Sequence, residues 1–332
     1  MTGQVELVVA SGKGGVGKST LTATLALVLA GRGYRMVAVD ADAEAPNLHL
    51  VLGVDKWDSE EPIYEGRIAY IVDELCTRCN ICAEVCPYGA VEIHDGRYTI
   101  NPWICEGCIT CSAACPPKAI RYKFRVRSGV IRVAEKTRYG FPLVGAESVP
   151  GRPNSGKLVT EAKNRGKAIL GKEGVLLVDA AAGIGCQVIS SLTGAQLAVL
   201  IAEPTLASLS DLKRIHRLTK HFSIAPMLVI NKYDLNPDVV PLIEEYAEKE
   251  NIPVVGRVPF DPAVPESMVN AKPLIEYRPD SPAAKEMKRI AEYIADEVLP
   301  NWRSWWSRYR PKKPEPYVPI ILRPTQPGAP PK

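Results

Sequence analysis

Gly12-Lys13-Gly14-Gly15-Val16-Gly17-Lys18-Ser19 lies between a strand-like run, Val5–Ala10, and a helix-like one, Lys18–Ala30. The stretch fits G-x-x-x-x-G-K-[ST] in the strand-to-helix context that this motif requires. Its glycines let successive backbone N–H groups turn inward around phosphate oxygens, and the helix N-terminus adds partial positive charge. Lys18 is expected on the β- and γ-phosphates and the Ser19 hydroxyl on Mg²⁺, with Thr20 following in the same helical turn. A glycine turn with chance lysines is the bland alternative, and it explains neither flanking element.

Outward from this loop the chain alternates between buried-strand and helix patterns. Met36–Val39, Val175–Val178, Leu197–Ala202, Met227–Ile230 and Val254–Val258 are short apolar runs, separated by helical patterns such as Leu206–His221 and Val239–Glu250. Continuous apolar strands alternating with helices imply a sheet covered on both faces. Lys285–Val298 reads as a closing helix, and Arg127-Ser-Gly-Val130 as a hairpin turn.

Eight of the nine cysteines fall between Cys76 and Cys115, and they form a repeat. Cys76-x2-Cys79-x2-Cys82-x3-Cys86-Pro87 recurs 29 residues later as Cys105-x2-Cys108-x2-Cys111-x3-Cys115-Pro116. No signal-peptide pattern precedes Val5, so a cytoplasmic location is expected, where dense cysteine means metal more often than disulfides. The pattern resembles bacterial dicluster ferredoxins, in which each fourth cysteine serves the other cluster. That resemblance implies one [4Fe-4S] cluster on Cys76, Cys79, Cys82 and Cys115, and a second on Cys105, Cys108, Cys111 and Cys86. Zinc is the competing reading, since C-x2-C pairs also build tetrahedral sites. Cys186 stands apart, either a small residue in a Gly-rich turn or a ligand shared across a dimer axis.

A lysine directly after the first loop glycine, Lys13, resembles the deviant KGGVGK[ST] loop of the SIMIBI-type MinD, ParA, Mrp and nitrogenase iron-protein superfamily. The resemblance covers about residues 1–299 and implies an ATP-sandwich dimer, either a homodimer or a dimer with a paralogue. In it Lys13 reaches the nucleotide of the opposite subunit. Asp40-Ala-Asp42 follows the second strand as the family's first switch does, so Asp42 would orient the attacking water and Asp40 would bear on Mg²⁺. Leu176-Leu-Val-Asp179 ends in the carboxylate expected near Mg²⁺, and Ala180–Gly185 corresponds to the second switch. Alanines at 181 and 182 depart from the prolines common in relatives. Asn231-Lys232-Tyr233-Asp234 reads literally as a guanine motif, but the resemblance implies that Asn231 meets adenine while Pro259-Phe260-Asp261 closes over the base. An isolated Asp-x-Asp would more often be a helix cap, as Asp234 could be.

The expected fold class is therefore α/β: a mostly parallel P-loop sheet flanked by helices (residues 1–66 and 126–299), with an inserted α+β unit of the bacterial 2[4Fe-4S] ferredoxin type (67–125). Residues 300–332 form a Pro/Trp/basic tail, expected to be extended or polyproline-like.

Charge limits the partners. The formal net charge is +4, but residues 301–332 carry seven Lys/Arg against Glu315, leaving 34 basic and 36 acidic residues in the rest. That body is not a basic nucleic-acid reader, and no apolar run nears the roughly 18 residues of a membrane span. The functional expectation is an ATPase, using ATP, Mg²⁺ and two clusters, that gates low-potential electron transfer to a redox partner. The alternative is a cluster carrier or assembly ATPase of the Mrp type.

Overall fold

The computed structural model describes residues 3–151 and 155–312. Strands β1 (Gln4–Ser11), β2 (Met36–Ala41), β3 (Ser59–Ile71), β6 (Ile120–Ala134), β7 (Leu143–Ser148), β8 (Gly174–Ala182), β9 (Leu197–Ala202), β10 (Ala225–Asn231) and β11 (Val254–Val258) form one nine-stranded sheet. Its order is β11-β10-β9-β1-β8-β2-β7-β6-β3. The short hairpin β4 (Val91–His94) and β5 (Arg97–Ile100) forms a second sheet.

From β11 to β7 every pairing is parallel, while β6 pairs antiparallel with both β7 and β3. The expected mostly parallel sheet is thus a mixed one. On β1, Val5, Leu7 and Val9 join one buried core while Val8 and Ala10 join the other. A strand apolar on both sides needs helices on both faces. One face packs α1 (Lys18–Gly31), α2 (Leu48–Val51), α9 (Ala263–Val269), α10 (Leu274–Tyr277) and α11 (Pro282–Tyr293). The other packs α5 (Ser155–Leu170), α6 (Cys186–Leu192), α7 (Leu206–Phe222) and α8 (Val240–Lys249). Among the described residues no helix is long and apolar enough to cross a membrane.

Two local expectations are corrected. Residues 127–130 are not a hairpin turn but the middle of β6, where Gly129 pairs with Ile63 on one side and Ser148 on the other. A Cβ on Gly129 would come within 2.5 Å of the Glu147 carbonyl oxygen and of Leu158 Cδ1. This glycine serves close approach to α5, not chain reversal. The start of the tail is not extended either: Trp302–Tyr309 forms α12, with Trp306 Nε1 donating to the Ser223 carbonyl at 2.9 Å. Residues 313–332 lie outside the described residues.

The cysteine-rich segment rides on the far end of the β3–β6 ribbon. That ribbon pairs from Ser59–Val133 to Ile71–Ile120, with one register shift between Ile63 and Tyr64, so the boundaries 66/67 and 125/126 fall inside strands. Beyond the ribbon lie the one-turn helices α3 (Ile81–Glu84) and α4 (Thr110–Ala114) and the β4–β5 hairpin.

Candidate functional site

The loop between β1 and α1 bends as its glycines require. Gly15 and Gly17 have φ of 74° and 94°, and Gly17 caps α1. A Cβ on Gly17 would sit 2.6 Å from Asn231 Nδ2. That amide donates to the Val16 carbonyl at 2.8 Å, tying the end of β10 to the loop. A cleft opens over this corner, lined by Gly14, Gly15, Gly17, Lys18, Ser19 and Thr20. Its other walls carry Asp42, Asn231, Pro259 and Asp261. Val16 is buried behind the loop, while Gly12 packs on α7, where a Cβ would meet Asp211 Cβ at 2.5 Å.

Beneath the cleft lies a buried carboxyl pair. Parallel register sets Asp40 of β2 beside Asp179 of β8, each 1% exposed. Burial, then the charge of Asp179, push Asp40 up to about 8. Burial also raises Asp179, to about 6, opposed by the Ser19 hydroxyl, the Lys18 charge and the Thr22 hydroxyl. Thr22 Oγ1 donates to Asp179 Oδ1 at 2.9 Å. Asp40 accepts backbone N–H bonds from Leu48 (2.9 Å), Asn47 (3.0 Å) and Asp42 (3.2 Å), which fixes the segment after β2. Lys18 is buried, and desolvation lowers its pKa against the pull of Asp179 and Asp42. Two close carboxyls and a desolvated ammonium form a charge set that a divalent cation and a polyphosphate complete.

Sequence reading missed Glu203 and most of the apolar wall of the cleft, and gave Lys232 no contact of its own. Glu203, just past β9, accepts from Lys232 Nζ at 2.5 Å and pairs with Lys13 Nζ at 3.4 Å, so Lys13 is held within its own chain. Phe260, Val264, Pro265 and Met268 line the wall opposite Asn231. Their signal was the run 259–268, where apolar residues recur at helical spacing straight after Pro-x-Asp. Asp234 Oδ1 accepts from Phe260 N at 2.7 Å, and Asp261 accepts from Ala263 N and Ala283 N at 2.9 and 3.1 Å. Both aspartates therefore pin the 259–261 turn.

All nine cysteines are free thiols. Cys76, Cys79, Cys82 and Cys115 line one small cavity. Cys86, Cys105, Cys108 and Cys111 line another. Each cavity thus draws three thiols from one run and the fourth from the other. The two halves also exchange hydrogen bonds: Val72 N donates to Ala119 O, and Asn101 N to Ala90 O, both at 2.8 Å. Cys82 and Cys111 are raised by burial, with the other thiols of their own cavities adding to it, whereas the Thr110 hydroxyl chiefly lowers Cys108. Among the described residues no group of three or more His, Cys, Asp or Glu is arranged to hold a metal ion. Cys186 is exposed at the start of α6.

Comparison with known proteins bears on the body of this site. Residues 7–274 match the family described as the CobQ/CobB/MinD/ParA nucleotide binding domain. An uncharacterized protein of Methanocaldococcus jannaschii is 31% identical over 294 residues, covering 89% of this chain and 98% of that one. An iron-sulfur cluster carrier protein of Pyrococcus abyssi is 26% identical over 309 residues, covering 88% and 86%. The septum site-determining protein MinD of Pyrococcus horikoshii, solved with Mg-ADP, shares the fold at a TM-score of 0.56 and 21% identity, covering 89% and 97%. With a phosphate loop, a carboxyl pair beneath it and this family match, the chain belongs to the CobQ/CobB/MinD/ParA nucleotide-binding family and is a P-loop ATPase of the MinD/ParA type.

Proposed function

We propose that this chain is a dimeric, Mg²⁺-dependent ATPase that couples its nucleotide state to an inserted module holding two [4Fe-4S] clusters. The observation that carries the iron–sulfur part is the gathering of eight thiols into two cavities, each with three from one motif and one from the other. Zinc sites take two C-x2-C pairs per ion, and this grouping crosses the pairs in the ferredoxin manner. Cys76, Cys79, Cys82 and Cys115 would hold one cluster, and Cys86, Cys105, Cys108 and Cys111 the other; bound there, the clusters supply one-electron carriers.

In the ATPase site, Lys18 and the N–H groups of residues 12–19 bind the phosphates. Ser19, Asp40 and Asp179 hold Mg²⁺ directly or through water; the raised pKa values of the two buried carboxyls support this, since a cation would relieve their repulsion. Bound there, Mg²⁺ neutralises charge on the phosphates. Asp42, on the cleft wall, orients the attacking water. Asn231 and the 259–261 turn hold the base, with Phe260 and Met268 as its apolar floor. Lys13 leaves Glu203 and completes the partner's site as charge develops on the transferred phosphoryl group.

The cellular task divides two ways. Cluster delivery is backed by the comparisons, through the carrier protein of Pyrococcus abyssi, and by exposed Cys186 just past the β8 carboxylate. Electron transfer is favoured by the cross-linked cavities, because a cluster tied to both halves of the insert is hard to release. Anaerobic redox titration by EPR, with and without Mg-ATP, separates the two when run beside an iron-chelator assay. Faster iron loss with ATP supports delivery. A nucleotide-dependent shift in potential with iron retained supports electron transfer. An iron-free chain with full ATPase activity would remove the iron–sulfur reading altogether.

A further inference from the structure

A strict duplication would give both thiol cavities the same surroundings, and the backbone follows it closely. Arg78 and Gly107, Asn80 and Ile109, and Gly89 and Lys118 are pairs 29 residues apart, and all six have φ between 53° and 68°. For a β-branched residue such as Ile109 this conformation is strained, so the loop geometry is imposed against local preference.

Side chains break the symmetry at the second cavity. Thr110 Oγ1 lies 3.4 Å from Cys108 Sγ. Twenty-nine residues earlier, next to Cys79 in the same geometry, stands Ile81, which has no hydroxyl. Arg67, on β3, donates Nε to the Gly107 carbonyl at 2.9 Å and sets its guanidinium 5.4 Å from the centre of the Tyr122 ring. This pins a cation beside the loop that carries Cys105 and Cys108. Gly107 admits the contact because a Cβ there would sit 2.3 Å from the Arg67 carbonyl oxygen. The position matching Arg67 in the other half is Gly96.

A hydroxyl facing a thiolate is the donor, and a hydrogen bond to an ionised acceptor is strong. Hydrogen bonds to ligand sulfur and nearby positive charge favour the reduced, more negative state of a cluster. Two charges act the other way: Glu106 lines the second cavity and Arg78 the first. Both are exposed side chains, as Arg67 itself is, and water and salt screen all three fields; what sets the second cavity apart is that Thr110 touches the sulfur and that the Arg67 guanidinium is held by the Gly107 carbonyl and the Tyr122 ring.

Resting on the two-cluster reading above, we propose that Thr110 and Arg67 set the cluster on Cys86, Cys105, Cys108 and Cys111 at a higher reduction potential than the one on Cys76, Cys79, Cys82 and Cys115. Electrons then pass from the first cavity to the second, and the insert has a defined entry and exit.

The test is an anaerobic potentiometric titration of the reconstituted full chain, followed by EPR, on wild type and four variants. Wild type shows two midpoints separated by at least a tenfold ratio of reduction equilibria, 59 mV for a one-electron couple. Thr110→Ile and Arg67→Gln lower only the upper midpoint. Thr110→Ser retains it, and Ile81→Thr raises only the lower one. Coincident midpoints in wild type, or a Thr110→Ile variant that keeps its upper midpoint, overturn the proposal. If Thr110→Ile loses its clusters, Ile81→Thr and Thr110→Ser still decide. A chain that assembles no clusters refutes the two-cluster reading, and the proposal falls with it.

Discussion

Replacing Asp40 by Asn probes the buried carboxyl pair under the phosphate cleft. Burial and the Asp179 charge push Asp40 from its ordinary 3.8 up to about 8, so the folded chain keeps a proton that the unfolded chain has released. The native state binds more protons between those limits. Its stability is therefore complete below the unfolded pKa and is lost as pH rises through the folded one. One proton gives a slope of about 1.4 kcal/mol per pH unit. His216 contributes a slope of opposite sign, but only below its ordinary 6.5, because burial lowers it to about 4. Between pH 6.5 and 8 the histidine no longer contributes, while Asp40 still titrates. Substitution removes one acceptor: an amide that still serves Asn47 and Leu48 turns its NH₂ toward the Asp42 N–H. That mismatch costs about 1–3 kcal/mol and offsets the relief of repulsion, so absolute stability is not diagnostic and the slope is. In urea unfolding without nucleotide, wild type should lose about 2 kcal/mol across the window, and Asp40→Asn well under half of that. Saturating Mg²⁺ with a non-hydrolysable ATP analogue should flatten the wild-type slope, the cation replacing the proton. Equal slopes in wild type and variant would mean that Asp40 holds no extra proton in the folded chain.

Other expectations follow from single contacts. Lys13→Ala should bind a fluorescent ATP analogue normally yet lose turnover about a thousandfold, as removal of a charge supplied in trans does; unchanged turnover would remove Lys13 from the site. His216 sits buried against Tyr246, its Nδ1 2.8 Å from the hydroxyl. With its folded pKa depressed, its contribution is present above pH 6.5 and lost as pH falls through about 4, roughly 3 kcal/mol in all. His216→Gln should therefore flatten the acid limb of the stability profile measured by urea unfolding. Trp306→Ala should cost about 2 kcal/mol, from half-buried ring surface and the bond to Ser223. Deleting 301–332 should lower the melting midpoint while sparing basal ATPase activity per folded molecule.

The phosphate site was legible because its chemistry is local. Loop, strand and helix are contiguous, and Gly15 and Gly17 take the positive φ that the turn needs. Elements set by distant contacts were harder to read. α5 contains Gly156 and Gly166, poor helix residues by propensity, yet a Cβ on Gly166 would come within 2.9 Å of Leu176 and Val39. Packing on the sheet chose those glycines. The same helix buries Lys163, whose Nζ pairs with Glu6 and donates to the carbonyls of Ser190, Ser191 and Thr193, a charge pattern that reads as surface. The tail was misread because composition was averaged over 301–332. Its eight prolines all follow residue 310, leaving 301–310 free to form α12. Glu203 lay hidden because its partners, Lys13 and Lys232, are 190 and 29 residues away. The repeat of cysteines announced two quartets, while the Thr110 and Arg67 asymmetry emerged only when the halves were seen folded against each other.

If this ATPase carries two iron–sulfur clusters in the segment hung from β3 and β6, they copurify with it when oxygen is excluded. Anaerobic purification followed by iron and acid-labile sulfide analysis tests this most directly. The account predicts about eight irons and eight sulfides per chain, falling by about half in a Cys82→Ser variant whose ATP binding is unchanged. Zinc without sulfide, or a wild-type chain holding no metal under those conditions, would contradict it.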